Sequence, residues 1–387
     1  MKKVFRNSFA ILALSSLIFT SCSSDDSTPV KDDTENPGTD FVVNENDFKG
    51  TINSGTVTLD GTKTYQLTGS LIVNNGARLV IPAGTTIIGT GGTSSYIAVA
   101  QGGKIEINGT ANNPVVMTGA EQVPGNWGGL VICGKAPINK GATATAEVSE
   151  LTYGGTDVND NSGVIRYLRV EYAGANFNSE KEFNGLSLFG VGKGTTIEYV
   201  QLHEGSDDGI EFFGGTVDTK YIVSSNNEDD LFDWTEGWNG TNDYWYGKRT
   251  KVGNRGIEAD NNSSNHLATP TSNPTINHLT LIGMGNQGDE PQAIKLRVGT
   301  FGALNNVVLS NWNVGFDVQH DESIEAIGDQ LKVTGVKFID VATPSKGKNT
   351  AEESVDVSSL YTIDENATGA GNGVDAPTWT QGWTVGL

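Results

Sequence analysis

Six short stretches decide how this chain is read: Gly185-Leu-Ser-Leu188, Gly209-Ile-Glu-Phe212, Leu231-Phe-Asp-Trp234, Gly256-Ile-Glu-Ala259, Ala293-Ile-Lys-Leu296 and Gly315-Phe-Asp-Val318. Each runs a usually small residue, then apolar, polar, apolar, and successive copies lie 24, 22, 25, 37 and 22 residues apart. Toward the N-terminus, Val73–Ile81 repeats as Val99–Ile107 at an offset of 26 residues, again alternating and again broken at glycine or Asn/Gly/Pro turns. Alternation of period two marks strands, and a constant step of this size marks coils that bury their inner faces only against their neighbours. The 37-residue step fits a polar insertion over Asp260 to Asn273. The pattern predicts an all-β solenoid with glycine placed at corners roughly once per coil.

Second strands lie between the tetrads, among them Ile165–Val170, Ile197–Leu202, Lys220–Val223, Ile276–Ile282 and Asn305–Leu309. With them, residues 65 to 342 resemble the right-handed parallel β-helix proteins of the pectate-lyase-like kind. That resemblance is architectural and implies a single-stranded, right-handed parallel β-helix.

The ends of the chain read differently. Lys2, Lys3 and Arg6 precede an apolar run from Phe9 to Phe19, too short for a membrane span, and the small Ser21 precedes Cys22. Leu17-Ile-Phe-Thr-Ser-Cys22 resembles a bacterial lipoprotein processing site, and Ser23-Ser-Asp-Asp-Ser27 resembles the acidic export tag of Bacteroidetes surface lipoproteins. The implied layout is a signal peptide over 1–21, a lipidated Cys22 with a flexible acidic tether over 22–45, the β-helix over 46–345 and a C-terminal cap over 346–387. Trp379 and Trp383 would suit that cap, and Val42, Val43 and Phe48 the opposite end. The implied location is the outer membrane, lipid-anchored and surface-exposed.

Composition narrows function. The chain of 387 residues carries 25 basic and 46 acidic residues, for a net charge of −21, and loss of the signal peptide would make it −24. No basic run exists, so phosphate neutralisation is excluded and nucleic acid is not a partner. Two cysteines exclude a disulfide scaffold, and with Cys22 acylated Cys133 is a buried small hydrophobe. Four dispersed histidines give no zinc cluster.

Stacked coils place equivalent residues in columns at the ~4.8 Å strand spacing. The outward members of the tetrads form the column Ser187, Glu211, Asp233, Glu258, Lys295, Asp317, and the turns just before them read Asn184, Asp208, Asp230, Arg255, Gln292. Two coils present the same acidic set: Asp207, Asp208 and Glu211 beside Asp229, Asp230 and Asp233. Carboxylates at that spacing repel, and at least one pKa should rise unless a cation intervenes. Three arrangements answer this. Asp207, Asp208, Asp229 and Asp230 either cap corners through local hydrogen bonds or ligate Ca2+, the one candidate cofactor. Arg255, Lys295 and Arg297 pair with the acids in a solvated ionic ladder. Or Glu211, Asp233, Glu258, Lys295 and Arg255 are catalytic, with the carboxyls near the ~5 to 5.5 Å of retaining glycosidases. The resemblance to polysaccharide lyases adds a calcium-plus-base arrangement with Lys295 or Arg297 as base.

Beside the acids lie Trp234, Trp238, Tyr244 and Trp245, interleaved with Asn239, Asn242 and Asp243. An exposed aromatic set among polar groups grips sugar rings. The sum predicts a cell-surface lipoprotein, not itself an enzyme, that binds an extracellular ligand, foremost a glycan, as an accessory to uptake with an outer-membrane transporter as candidate partner. The alternatives are a calcium-dependent polysaccharide lyase or glycoside hydrolase, and a structural or adhesive surface protein.

Overall fold

In the computed structural model the tetrads are strands stacked in parallel and in register: Leu186 pairs with Ile210, Ile210 with Phe232, Phe232 with Ile257, Ile257 with Ile294 and Ile294 with Phe316. The structure describes residues 38–178 and 181–387; the signal peptide, Cys22 and most of the tether lie outside the described residues. The 26-residue offset is a register as well, Val73 against Val99 and Ile81 against Ile107. Twenty-five strands join one sheet that winds as a right-handed parallel β-helix. The inner apolar columns, including Leu186, Ile210, Phe232, Ile257, Ile294 and Phe316, are fully buried in one continuous core. No helix among the described residues is long and apolar enough to cross a membrane.

The second strands are bent in mid-course. Gly163–Glu171 pairs with Lys104–Asn108 through its first half and with Val115–Gly119 through its second, so each coil has three faces. The corner between two of these faces is made by Tyr167, Tyr199, Tyr221, Tyr244, His278 and Asn306, all with positive φ. Glycine was expected at the corners, and it does serve where a tetrad begins: a Cβ on Gly209 would meet Ser224 Oγ at 2.4 Å. At the bent corner aromatic stacking offsets the left-handed backbone instead, with centroids 4.4 to 5.0 Å apart from Tyr167 to His278.

The C-terminal residues depart from the expected cap. Val357 and Leu360 join the core at that end, but the tryptophans do not. From Thr368 the chain runs back along the flank of the coils: Ala370 N–H donates to Thr280 Oγ1 (2.9 Å), Tyr246 O–H to the Val374 carbonyl (3.3 Å), and the Gln201 amide closes a two-way pair with Val385 (2.7 and 2.9 Å). Trp379 leans on Tyr221, and Trp383 stands edge-on to Tyr199 and Tyr167. This strap buries Val223 and Tyr246, apolar residues on an outward column that would otherwise face water. At the N-terminal end Phe48 is buried with Phe41 against it, while Val42 is 85% exposed and covers nothing.

Candidate functional site: a carboxylate trough

The outward column and the turn column stand side by side, because the coil-to-coil hydrogen bonds continue through the turn: Gly185 N–H to Asp208 O, Gly209 to Asp230 O, Leu231 to Arg255 O, Gly256 to Gln292 O. Between them runs a trough. At the lower end its outward neighbours are roofed by the insertion over residues 134–162, which seals Ala98, Val131, Cys133, Phe189 and Phe213 in a second apolar cluster. Cys133 is a buried free thiol whose pKa burial pushes up to about 12. The Asp260 to Asn273 insertion lies to one side, pinned by Asn261, whose Nδ2 donates to the His266 and Ala268 carbonyls at 2.9 and 3.0 Å. Glu211 and Asp233 are left half-buried.

Local capping explains part of the acidic set. Asp208 Oδ1 accepts the Asp230 N–H (2.8 Å) and Asp230 Oδ1 accepts the Arg255 N–H (2.7 Å), each aspartate capping the coil above. Asp229 Oδ1 takes Asn254 Nδ2 at 2.6 Å. Capping leaves the crowding of charge unrelieved. Oxygens of Asp207, Asp208 and Asp229, of Asp208, Glu211 and Asp233, and of Asp230, Asp233 and Glu258 form three groups, each within 4.8 Å.

The upper half is neutralised by the chain's own cations. Arg255 pairs with Asp230 (3.1 Å), Glu258 (3.0 Å) and Glu290. Lys295 Nζ lies 2.7 Å from Glu290 and 3.8 Å from Glu258, and Arg297 pairs with Glu258 and, at 2.7 Å, Asp260. The ladder expected as solvated is buried: the side chains of Arg255 and Lys295 are only 9% and 7% exposed. Burial works against the Arg255 charge, but Asp230, Glu258 and Glu290 outweigh it and raise its pKa. Burial pushes the Glu258 carboxyl up, while Arg297 and Arg255 pull it back. Asp230 is pushed up to about 7, by burial first, against the pull of Arg255. Lys295 and Arg297, the bases that the resemblance to lyases implied, are thus both held in ion pairs.

In the lower half Arg249 and Arg297 act on Asp208 and Asp233 only through space. Among the described residues no cationic side chain forms an ion pair with Asp207, Asp208, Glu211 or Asp233. Burial, then the charges of Glu182 and Asp229, push Asp207 up to about 8. Asp208 is driven well above the carboxylate range by burial and by Asp207 and Asp233. Glu211 is driven up by burial, Asp208 and Glu147, and Asp233 by burial, Glu211 and Glu258. The buried Asn184 donates from Nδ2 to Glu211 Oε2 at 2.8 Å, and its own Oδ1 has no partner. Calcium fits this donor set, since carboxylate oxygens are its ligands; Asp208, Glu211 and Asp233 would hold it.

The aromatic platform is corrected. Trp234, Trp238 and Trp245 are fully buried, because the alternation that turns Asp233 outward turns Trp234 inward. Their indole N–H groups are satisfied inside, on Thr300 Oγ1 (3.1 Å), the Val217 carbonyl (3.1 Å) and Thr219 Oγ1 (2.8 Å), and Trp238 stacks on Phe212 at 3.8 Å. Tyr244 reaches the surface, but Tyr221 and His278 occupy both its faces. Sequence reasoning also missed Asn184, Glu147 and Glu290 as parts of the site. Asn184 stood in the turn column already; Glu147 and Glu290 lie outside the repeat and left no signal. Two concavities of about 440 and 310 Å3 meet at Thr271, Phe301 and Gln330 and are lined by none of the trough carboxylates.

Among solved structures, an endo-xylogalacturonan hydrolase from Aspergillus tubingensis aligns over 80% of this chain and 91% of its own, at 10% identity and a TM-score of 0.28. No curated protein matches the chain. Residues 50–384 match the family described as a pectate-lyase-like β-helix domain. By that match, over most of its length, the chain belongs to the pectate-lyase-like β-helix family.

Proposed function

We propose that the protein is a surface lipoprotein, anchored through Cys22, that holds an extracellular glycan in the carboxylate trough as an accessory to an outer-membrane transporter. The observation that carries this reading is the unneutralised lower half: carboxylates of Asp207, Asp208, Glu211 and Asp233 in a half-buried trough on adjacent coils. Sugar hydroxyls both donate and accept, and so meet these carboxyls in either protonation state. With the tryptophans in the core, the grip is polar rather than by ring stacking.

A second reading, hydrolysis, is favoured by one feature. Glu211 and Asp233 lie on neighbouring coils with oxygens within 4.8 Å, and burial and crowding raise both, so that one proton shared between them would leave an acid beside a carboxylate. One experiment separates the two. Purified mature protein is incubated with anionic and neutral polysaccharides, with calcium or with chelator, while reducing ends and the melting temperature are followed. Binding predicts a stabilising shift without product, lost in Glu211→Gln and Asp233→Asn; product abolished by those variants would overturn the binding-only reading. Neither shift nor product would leave a structural or adhesive role. For the anchor, Cys22→Ser should move the protein from the membrane to the soluble fraction; unchanged fractionation would refute lipidation.

A further inference from the structure

We propose that the lower half of the trough takes a primary ammonium group, so that the glycan held there is one bearing free amino sugars; this rests on the trough being a glycan site. The chain itself shows how these columns hold a nitrogen cation. Lys295 stands in the Ser187–Glu211–Asp233–Glu258 column and places Nζ against Glu290 at 2.7 Å and Glu258 at 3.8 Å, and Arg255 stands in the turn column between carboxylates. Below Asp230 the same columns continue with acids and no cation. Nor can the neighbouring cations be recruited. Arg255, Lys295 and Arg297 are each in two or more ion pairs. Arg249 is held on the backbone carbonyls of Asn227, Asp229 and Arg255 and acts on Asp208 through space, without an ion pair.

The second observation is Asn184, 2% exposed. Its counterparts on the next two coils, Asp208 and Asp230, each use Oδ1 to cap the backbone above. Asn184 does not: Nδ2 donates to Glu211 Oε2 and, at 3.3 Å, to Ser187 Oγ, and Oδ1 is left without a donor. The amide head therefore sits among the trough side chains. At the other end of the turn column Gln292 Oε1 is also buried and unpartnered. At the lower end the unmet Asn184 atom is an acceptor and calls for a donor. An ammonium supplies three. Oxygens of Asp208, Glu211 and Asp233 lie no more than 4.8 Å from one another, close enough for one ammonium to donate to all three. A uronate would bring further negative charge to a place with no free cation, and N-acetylation would remove the charge that the site lacks.

The test is calorimetric titration of the mature protein at about pH 6 with a glucosamine hexamer, with its fully N-acetylated counterpart, both in chelator, and with calcium chloride alone. The glucosamine hexamer should bind at least ten-fold tighter than the acetylated one, and Asp233→Asn and Glu211→Gln should each weaken it ten-fold or more without lowering the melting temperature. Equal affinity for the two hexamers, abolished by the same variants, would overturn the ammonium and leave the glycan site standing. Saturable calcium binding with no uptake of the amino sugar would overturn it in favour of a metal site. Amino-sugar affinity unchanged in both variants would place the sugar elsewhere and overturn it too. Failure of every glycan to bind would sink the glycan reading itself.

Discussion

Replacing Asp207 by Asn should stabilise the protein, and only above acidic pH. The Asp207 pKa is pushed from 3.8 up to about 8, by burial first and then by Glu182 and Asp229. Below about pH 4 the group is protonated folded and unfolded alike and contributes nothing to their difference. As pH rises from 4 to 8 only the unfolded chain releases the proton, so the wild type loses stability across that window and levels off above it. At about 1.4 kcal/mol per pH unit the ceiling is roughly 6 kcal/mol. Asp207 keeps some contact with water, and solvent screening reduces this to about 2 kcal/mol. With an unfolding entropy of about 2.1 cal/mol/K per residue, a chain of this length gains about 2–3 °C. Thermal unfolding of both proteins from pH 4 to pH 8 in chelator measures it. The melting curves should coincide at pH 4 and separate steadily toward pH 8. A variant less stable at pH 8, or a gap equally wide at pH 4, would refute the reasoning.

Three further outcomes follow from the same contacts. Arg255→Gln strands Asp230, Glu258 and Glu290 beside one another and should cost about 3–5 kcal/mol, a melting-point drop of about 4–6 °C; a change under 1 °C contradicts the buried ladder. Trp238→Phe leaves the Val217 carbonyl unpaired and should cost about 1–3 kcal/mol with glycan affinity unchanged, whereas a selective loss of affinity would restore the aromatic platform. Ending the chain at Ile363 removes the strap, uncovers Val223 and Tyr246, and should cost about 3–6 kcal/mol with faster proteolysis; an unchanged protease half-life would show that the strap stabilises nothing.

The columns were legible because a parallel β-helix turns sequence period into spatial adjacency: once Gly209-Ile-Glu-Phe212 and Leu231-Phe-Asp-Trp234 are aligned, Glu211 must neighbour Asp233, as it does. The same rule held the answer for the tryptophans. Trp234 shares parity with Phe232, and that alternation sends it inward however dense the aromatics beside the acids. What the repeat could not show is whatever lies outside it. The strap returns across many coils to a flank whose corner is built of tyrosines in the left-handed region, and no period announces a single return pass. Glu147 and Glu290 reach the trough from an insertion and a turn. The rotation of the Asn184 amide away from the capping role of Asp208 and Asp230 is a side-chain choice that an identical column position conceals.

A crystal of the mature protein grown with a glycan that raises its melting temperature should show the sugar in the trough, with hydroxyl or amino groups within hydrogen-bond distance of Glu211 and Asp233. A sugar seated instead in the concavities around Phe301, with the trough carboxylates untouched, would contradict that placement.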